Sequence, residues 1–190
     1  MSAELRLILK PDATYAALAA RPMSIGAIRA LRRPVLVAVV LGTSMALSST
    51  RHATPALVLS TTLLWSAVVV AQVVIALAVI GTTQLEAVGR PRALDLFFAS
   101  HAPWSLWLLA AAAWAPSALG RPGMPVWITA VAAIALTPRM IAAFFRQVLK
   151  MDRHRAAMRT LVHQTLTWGL FVAFYGAAVA LWPRILHLLS

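Results

Sequence analysis

The chain alternates long apolar runs with short segments that hold nearly all of its charge. A membrane-spanning helix needs about 20 mostly apolar residues, because lipid offers no partners to backbone N–H and C=O groups. Five runs fit, at about 34–50, 56–80, 104–119, 124–145 and 165–186. The first opens at Pro34 directly after Arg32 and Arg33, where a proline is tolerated. The third carries Trp104, Trp107 and Trp114 near its ends, with Pro116 limiting its last turn. In the fourth, Thr137-Pro138-Arg139 predicts a kink at the missing donor, with Arg139 near enough to the end to reach the interface. The fifth closes on Trp182-Pro183-Arg184, an aromatic-belt exit. The pattern predicts an all-α polytopic integral membrane protein, with a cytoplasmic amphipathic segment over 1–33 and a five-helix transmembrane bundle over 34–190.

The polar segments have patterns of their own. Pro11 and Pro22 split the N-terminal segment into two short helices. Leu5, Ile8 and Leu9 share one face of the first, with Arg6 and Lys10 opposite, and in the second Asp12 precedes a side carrying Tyr15, Leu18 and Ala19. Such a segment is expected to lie along the membrane surface. Residues 25–33 form an approach to the first span. Gly89-Arg90-Pro91 starts a short helix with Leu94, Phe97 and Phe98 on one side, stopped by His101-Ala102-Pro103. Before the last span, at about 100° per residue, Met140, Ile141, Phe144, Phe145, Val148 and Leu149 fall in one half of a helical wheel. Arg139, Arg146, Lys150 and Arg153 fall in the other half, a basic stripe suited to anionic lipid or an acidic partner and equally to a topological anchor.

Composition agrees with the pattern. The 190 residues are 61% hydrophobic and 12% charged, with a mean hydropathy of +0.81, which excludes an ordinary soluble or disordered chain. A net charge of +12 would suggest nucleic acid in a soluble protein, but here it sits between apolar runs, so no nucleic-acid partner is expected. Of the 17 cations, 14 fall before span one, between spans two and three, and between spans four and five; only Arg51, Arg121 and Arg184 fall on the opposite side. The positive-inside rule then places the N-terminus in the cytoplasm and the C-terminus outside. Arginine- and alanine-rich usage points to a bacterial cytoplasmic membrane. A cleavable signal peptide is not expected, because the first apolar run follows thirty-odd polar and basic residues.

Catalytic chemistry finds little footing. Without cysteine there is no thiolate cluster, c-type haem attachment or disulfide. His52, His101, His154, His163 and His187 form no metalloprotease or diiron pair, and no nucleophile elbow or glycine-rich phosphate loop is present. His101 and His163 sit near the cytoplasmic ends of predicted spans, where two imidazoles suit a haem or ordinary interfacial packing. Glu4, Asp12, Glu86, Asp95 and Asp152 all fall in cytoplasmic segments, which argues against an intramembrane proton relay. Gln72 is the notable polar residue deep in span two, suited to an interhelical hydrogen bond or a polar solute. Small residues mark two ridges, Ala38, Gly42 and Ala46 in span one and Gly169, Ala173 and Ala177 in span five. Such ridges pack helices within a bundle or dock a partner helix. Neither an enzyme nor a bound cofactor or metal is expected.

Three stretches resemble the Yip family, in its bacterial branch: Leu9-Lys10-Pro11-Asp12-Ala13-Thr14-Tyr15 followed by Leu18 and Pro22, Gly89 to Pro103 with Trp104 after it, and Lys150-Met151-Asp152-Arg153-His154-Arg155-Ala156. The resemblance implies five spans and a cytoplasmic N-terminus. The Asp-Leu-Tyr-Gly-Pro signature of eukaryotic members is absent, and no functional residue carries over. The expected function is a noncatalytic scaffold, organiser or accessory subunit that contacts anionic lipid and another membrane protein or a second copy of itself. A small transporter or channel component, using Gln72 and the Pro138 kink, is the alternative, and a haem-binding or other membrane enzyme subunit the third.

Overall fold

The computed structural model describes residues 3–21, 25–50, 52–81, 88–118 and 129–189, and every element among them is a helix. Two short helices, α1 (Ala3–Leu9) and α2 (Pro11–Ala19), precede a single turn, α3 (Ala27–Ala30). Then come α4 (Arg32–Thr50), α5 (Pro55–Ile80), α6 (Arg90–Ala99), α7 (Ala102–Ala118), α8 (Val131–Gln147) and α9 (Arg153–Leu189). Ala27–Leu47 and Pro55–Ile80 are each long and apolar enough to cross a membrane. Arg90–Ala99 and Ala102–Ala113, bent by 43° between them, provide a third crossing if they act together. Residues 119 and 124–128 of the predicted third and fourth spans, with Arg51, Arg121, Glu86 and Pro22, lie outside the described residues.

Helix boundaries follow local chemistry. Pro55 at the first position of α5 lacks the N–H that would go unpaired there, and the Thr54 side chain accepts a hydrogen bond from the Leu57 N–H at 3.3 Å. Gly89, at φ +74°, turns the chain into α6 with Pro91 in its first turn. The α8 helix runs through Pro138. After Gln147 it stops without glycine or proline: Lys150 takes a left-handed φ of 54°, and the Met151 N–H returns to the Phe145 carbonyl at 3.0 Å.

Two cores form. The larger gathers Leu7, Tyr15, Val79, Ile80, Leu94, Phe97, Phe98, Met140, Ile141, Phe144, Phe145 and Leu149. It therefore joins α1, α2, α6, the second half of α8 and the end of α5, where the charged segments also lie. All six apolar residues of the predicted wheel are buried. Phe97 touches Phe144 edge to face at 5.4 Å between centroids, and Tyr15 touches Phe144 the same way at 5.9 Å. The smaller core sets Leu41, Trp65 and Val68 against Leu108, Leu170 and Phe174, joining α4, α5, α7 and α9.

Close approach of α4 to α5 depends on Gly42. A Cβ there would fall 2.6 Å from both the Cα and the N of Thr62. Ala38 and Ala46, one turn to either side, are also buried. At the same crossing Thr61 Oγ1 lies 2.8 Å from the Gly42 carbonyl and 2.8 Å from that of Leu57. Thr61 thus supplies the interhelical contact that the sequence suggested for Gln72, which is half-buried on α5.

The structure corrects two expectations, and at the α9 ridge it leaves the partner-docking alternative open. In α1 the inward residue is Leu7, 3% exposed, whereas Leu5 and Leu9 are 45% and 55% exposed, because α1 folds back on α2 and α8. The basic stripe is not one helix face: α8 ends at Gln147 and a new helix begins at Arg153, so the even helical rotation assumed from Arg139 to Arg153 is broken at Lys150. The ridge of α9 is not packed within the described chain, since Gly169, Ala173 and Ala177 are exposed and a Cβ on Gly169 would meet nothing within 4 Å.

These two ridges give opposite mutational outcomes. Replacing Gly42 with Leu drives a side chain into the α5 backbone and should destabilise the detergent-solubilised protein by about 3 kcal/mol, the upper end of what overpacking typically costs, since the contact is with backbone atoms. Gly169→Leu should leave the melting temperature of the monomer within about 1–2 °C, because the added atoms enter open space. Equal losses at both positions would show that the two ridges are packed alike.

Candidate functional site: the charged end

The polar chemistry concentrates where α2, α6, the end of α8 and the start of α9 meet. Pro11 opens α2, which puts Asp12 in the first turn, near the partial positive charge of the helix N-terminus, and Tyr15 one turn later. Arg146 Nη2 donates to both Asp12 oxygens, at 2.8 and 3.0 Å, and Gln147 Nε2 donates to Oδ1 at 3.2 Å. Tyr15 is fully buried beneath this pair and its hydroxyl donates to the Leu96 carbonyl at 3.2 Å. Partial burial works to raise the Asp12 pKa. The hydrogen bonds from Arg146 and Gln147, with the charges of Arg146 and Arg139, outweigh it and hold the carboxyl below its ordinary 3.8.

Arginines also finish helices here. Arg92 is buried, and its guanidinium donates to the carbonyls of Leu18 and Arg21 at the end of α2. Arg159 donates to the Val79 carbonyl in the last turn of α5 at 2.5 Å. Both supply donors to carbonyls that a helix C-terminus leaves without intrahelical partners, and both bring a cation to its partial negative charge. Arg33 Nε meets Asp95 Oδ1 at 3.0 Å, tying the start of α4 to α6. Asp152 caps α9 by accepting from the Arg155 N–H at 2.9 Å, and its other oxygen lies 3.3 Å from Arg155 Nε.

Of the four stripe residues, Arg146 is engaged by Asp12, whereas Arg139, Lys150 and Arg153 are exposed. Sequence reasoning missed the partners of Arg33, Arg92 and Arg159, which are set by tertiary contact. It also passed over Asp152 before an Ala- and Leu-bearing helical run, a capping signal that was available.

Next to the charged end, His101 and His163 come together, with ring centroids 5.7 Å apart and planes at 82°. Phe98 stacks on His101 at 5.1 Å, and Phe97 meets His163 edge to face at 4.9 Å. Ser100 Oγ lies 3.4 Å from His101 Nδ1, and Thr167 Oγ1 lies 3.3 Å from His163 Nε2. Aromatic rings pack against both imidazoles. Among the described residues no group of three or more His, Cys, Asp or Glu side chains is placed to hold a metal ion.

The Asp12–Arg146 pair makes a pH-dependent contribution with a defined sign. Because Asp12 titrates lower in the folded chain than when free, the stabilisation is fully present above about pH 4 and is lost as pH falls through the lowered value. The pair is partly exposed and screened, so a double-mutant cycle with Asp12→Asn and Arg146→Gln should give a coupling of at most about 1 kcal/mol near neutral pH. The coupling should decline as pH falls through that lowered value and vanish once Asp12 is protonated. A coupling that grows on acidification would contradict the assignment. Comparison of the chain with family models, with curated proteins and with solved structures finds no match.

Proposed function

We propose that the chain is a Yip-like, five-span protein of the bacterial cytoplasmic membrane, with its N-terminus in the cytoplasm. It acts without catalysis, as a scaffold, organiser or accessory subunit, through contacts with lipid and with another membrane protein or a second copy of itself. The observation that carries this reading is the outer surface of α9. Leu161, Val162, Leu166, Trp168, Phe171 and Val172 are exposed along it, beside the open ridge of Gly169 and Ala173. Water would make such a surface costly, whereas lipid or a neighbouring helix covers it. A similar argument applies to α5, where only 33% of the most apolar window is buried inside the chain.

The charged end adds the second half of the argument. Salt bridges and carbonyl caps hold α2, α4, α5, α6, α8 and α9 in one arrangement, and Arg6, Lys10, Arg139, Lys150 and Arg153 are exposed. A rigid basic cap on membrane helices with uncovered apolar faces is a device for holding neighbours.

Two measurements test this reading. A C-terminal alkaline-phosphatase fusion should be active and a C-terminal fluorescent fusion dim; the reverse would mean an even number of spans. Native mass spectrometry of the gently solubilised protein should show a protein neighbour or a dimer, with lipid adducts. A monomer without neighbours, or a Soret band in its absorption spectrum, would overturn the scaffold reading.

A further inference from the structure

At the start of α9 the surface is concave. A groove of about 820 Å³ is lined by the turn Lys150 to Asp152 and by the α9 face of His154, Arg155, Met158, Arg159 and Val162. We propose that this groove binds one anionic phospholipid of the adjoining leaflet, headgroup among Lys150, His154, Arg155 and Arg159, acyl chain along Met158 and Val162. The proposal rests on the membrane-protein reading above and names the lipid contact that reading leaves open.

Charge is the first argument. Three permanent cations line the groove against one carboxylate, and that carboxylate is already committed. Asp152 accepts the Arg155 N–H and pairs with its guanidinium. Arg159 spends one donor on the Val79 carbonyl, which fixes its guanidinium at the groove wall and leaves other N–H groups to face an anion. Lys150 is held outward by its left-handed backbone at the tip of the turn, and its side chain is exposed. Phosphate oxygens are the acceptors that match such a set, with His154 as a further donor.

The order of polarity along α9 is the second argument, and it separates a lipid from a free phosphate or an acidic peptide. Beyond the cations, Met158, Val162 and Leu166 follow at intervals of four, so they form one stripe, and they are 48%, 43% and 46% exposed. The stripe continues in the direction of the predicted last span. A ligand that is anionic at one end and aliphatic along the rest fits that order; a small anion leaves the stripe bare, and a peptide carboxylate has no chain to lay on it. Arg153, although exposed and adjacent in sequence, does not line the groove, so the assigned residues differ from those of the basic stripe read from the sequence.

The test uses the full chain, released in mild detergent and incubated with equimolar dioleoyl-phosphatidylglycerol and dioleoyl-phosphatidylcholine before native mass spectrometry. Phosphatidylglycerol adducts should dominate. Their enrichment should fall about fivefold with Lys150→Gln and again with Arg155→Gln, the loss expected for single cations near an anionic surface. Val162→Asp, which keeps every cation but interrupts the stripe, should also lower it, and Arg153→Gln should change it less than twofold. Excess glycerol phosphate should not displace the lipid. Equal retention of the two lipids, an Arg153→Gln effect as large as that of Lys150→Gln, or displacement by glycerol phosphate would each overturn the proposal. Because Lys150 and Arg153 are exposed, their variants report even if Val162→Asp fails to fold. The outcome is separable from the scaffold reading: lost lipid preference with a retained protein neighbour sinks the groove alone, and a lone monomer that still selects phosphatidylglycerol sinks the scaffold alone.

Discussion

A helix leaves its last carbonyls without intrahelical partners, and a buried carbonyl without a donor costs about as much as a lost hydrogen bond. In this chain two of the helix ends that meet at the charged end are finished by arginine. Arg92 closes α2 and Arg159 closes α5, each from a different helix, so each cap is also a tertiary tie. Tyr15 follows the same rule: it buries a full ring and sends its hydroxyl to a backbone carbonyl of α6.

This use of arginine bears on how the net charge should be interpreted. Three carboxylates with described side chains, Asp12, Asp95 and Asp152, each hold an arginine, and Arg92 and Arg159 hold carbonyls. Five of the cations are therefore partly spent on architecture. Among the exposed cations of the former basic stripe, Arg139, Lys150 and Arg153 belong to different backbone segments, and of these three only Lys150 also lines the groove.

The elements legible in the sequence were those where one local signal decides the outcome. Pro55 after Thr54, followed by an unbroken apolar run, fixes α5 at both the level of capping and that of hydropathy. The wheel over Met140 to Leu149 was legible because six bulky apolar residues have a single way to share one side. By contrast, the break after Gln147 has neither glycine nor proline to announce it, and it is set by packing of Phe144, Phe145 and Leu149 into the core. The inward side of α1 was misjudged because seven residues make two turns, too few for periodicity to outvote tertiary contact. The charged end was visible only as a charge count, since the pairs Arg33–Asp95 and Arg146–Asp12 join residues far apart in the chain. Of the five spans expected, two helices are long and apolar enough to cross a membrane, and a bent pair makes a third if it acts as one.

In the proposed arrangement the length of α9 joins the membrane to the charged end. Its 37 residues extend about 55 Å, whereas a hydrocarbon core is about 30 Å thick and takes roughly 20 of them. If the predicted last span fills the core, the first three turns of α9 must stand in the headgroup layer and beyond it. Those turns carry His154, Arg155 and Arg159, and the stripe of Met158, Val162 and Leu166 begins among them and runs on toward the span. A helix that crosses this boundary without a break exposes both kinds of side chain at the depth where a phospholipid changes from phosphate to acyl chain. Continuity of α9 from Arg153 onward, which the sequence had divided into a polar turn and a later span, is thus what brings the cations and the apolar stripe into register on one surface.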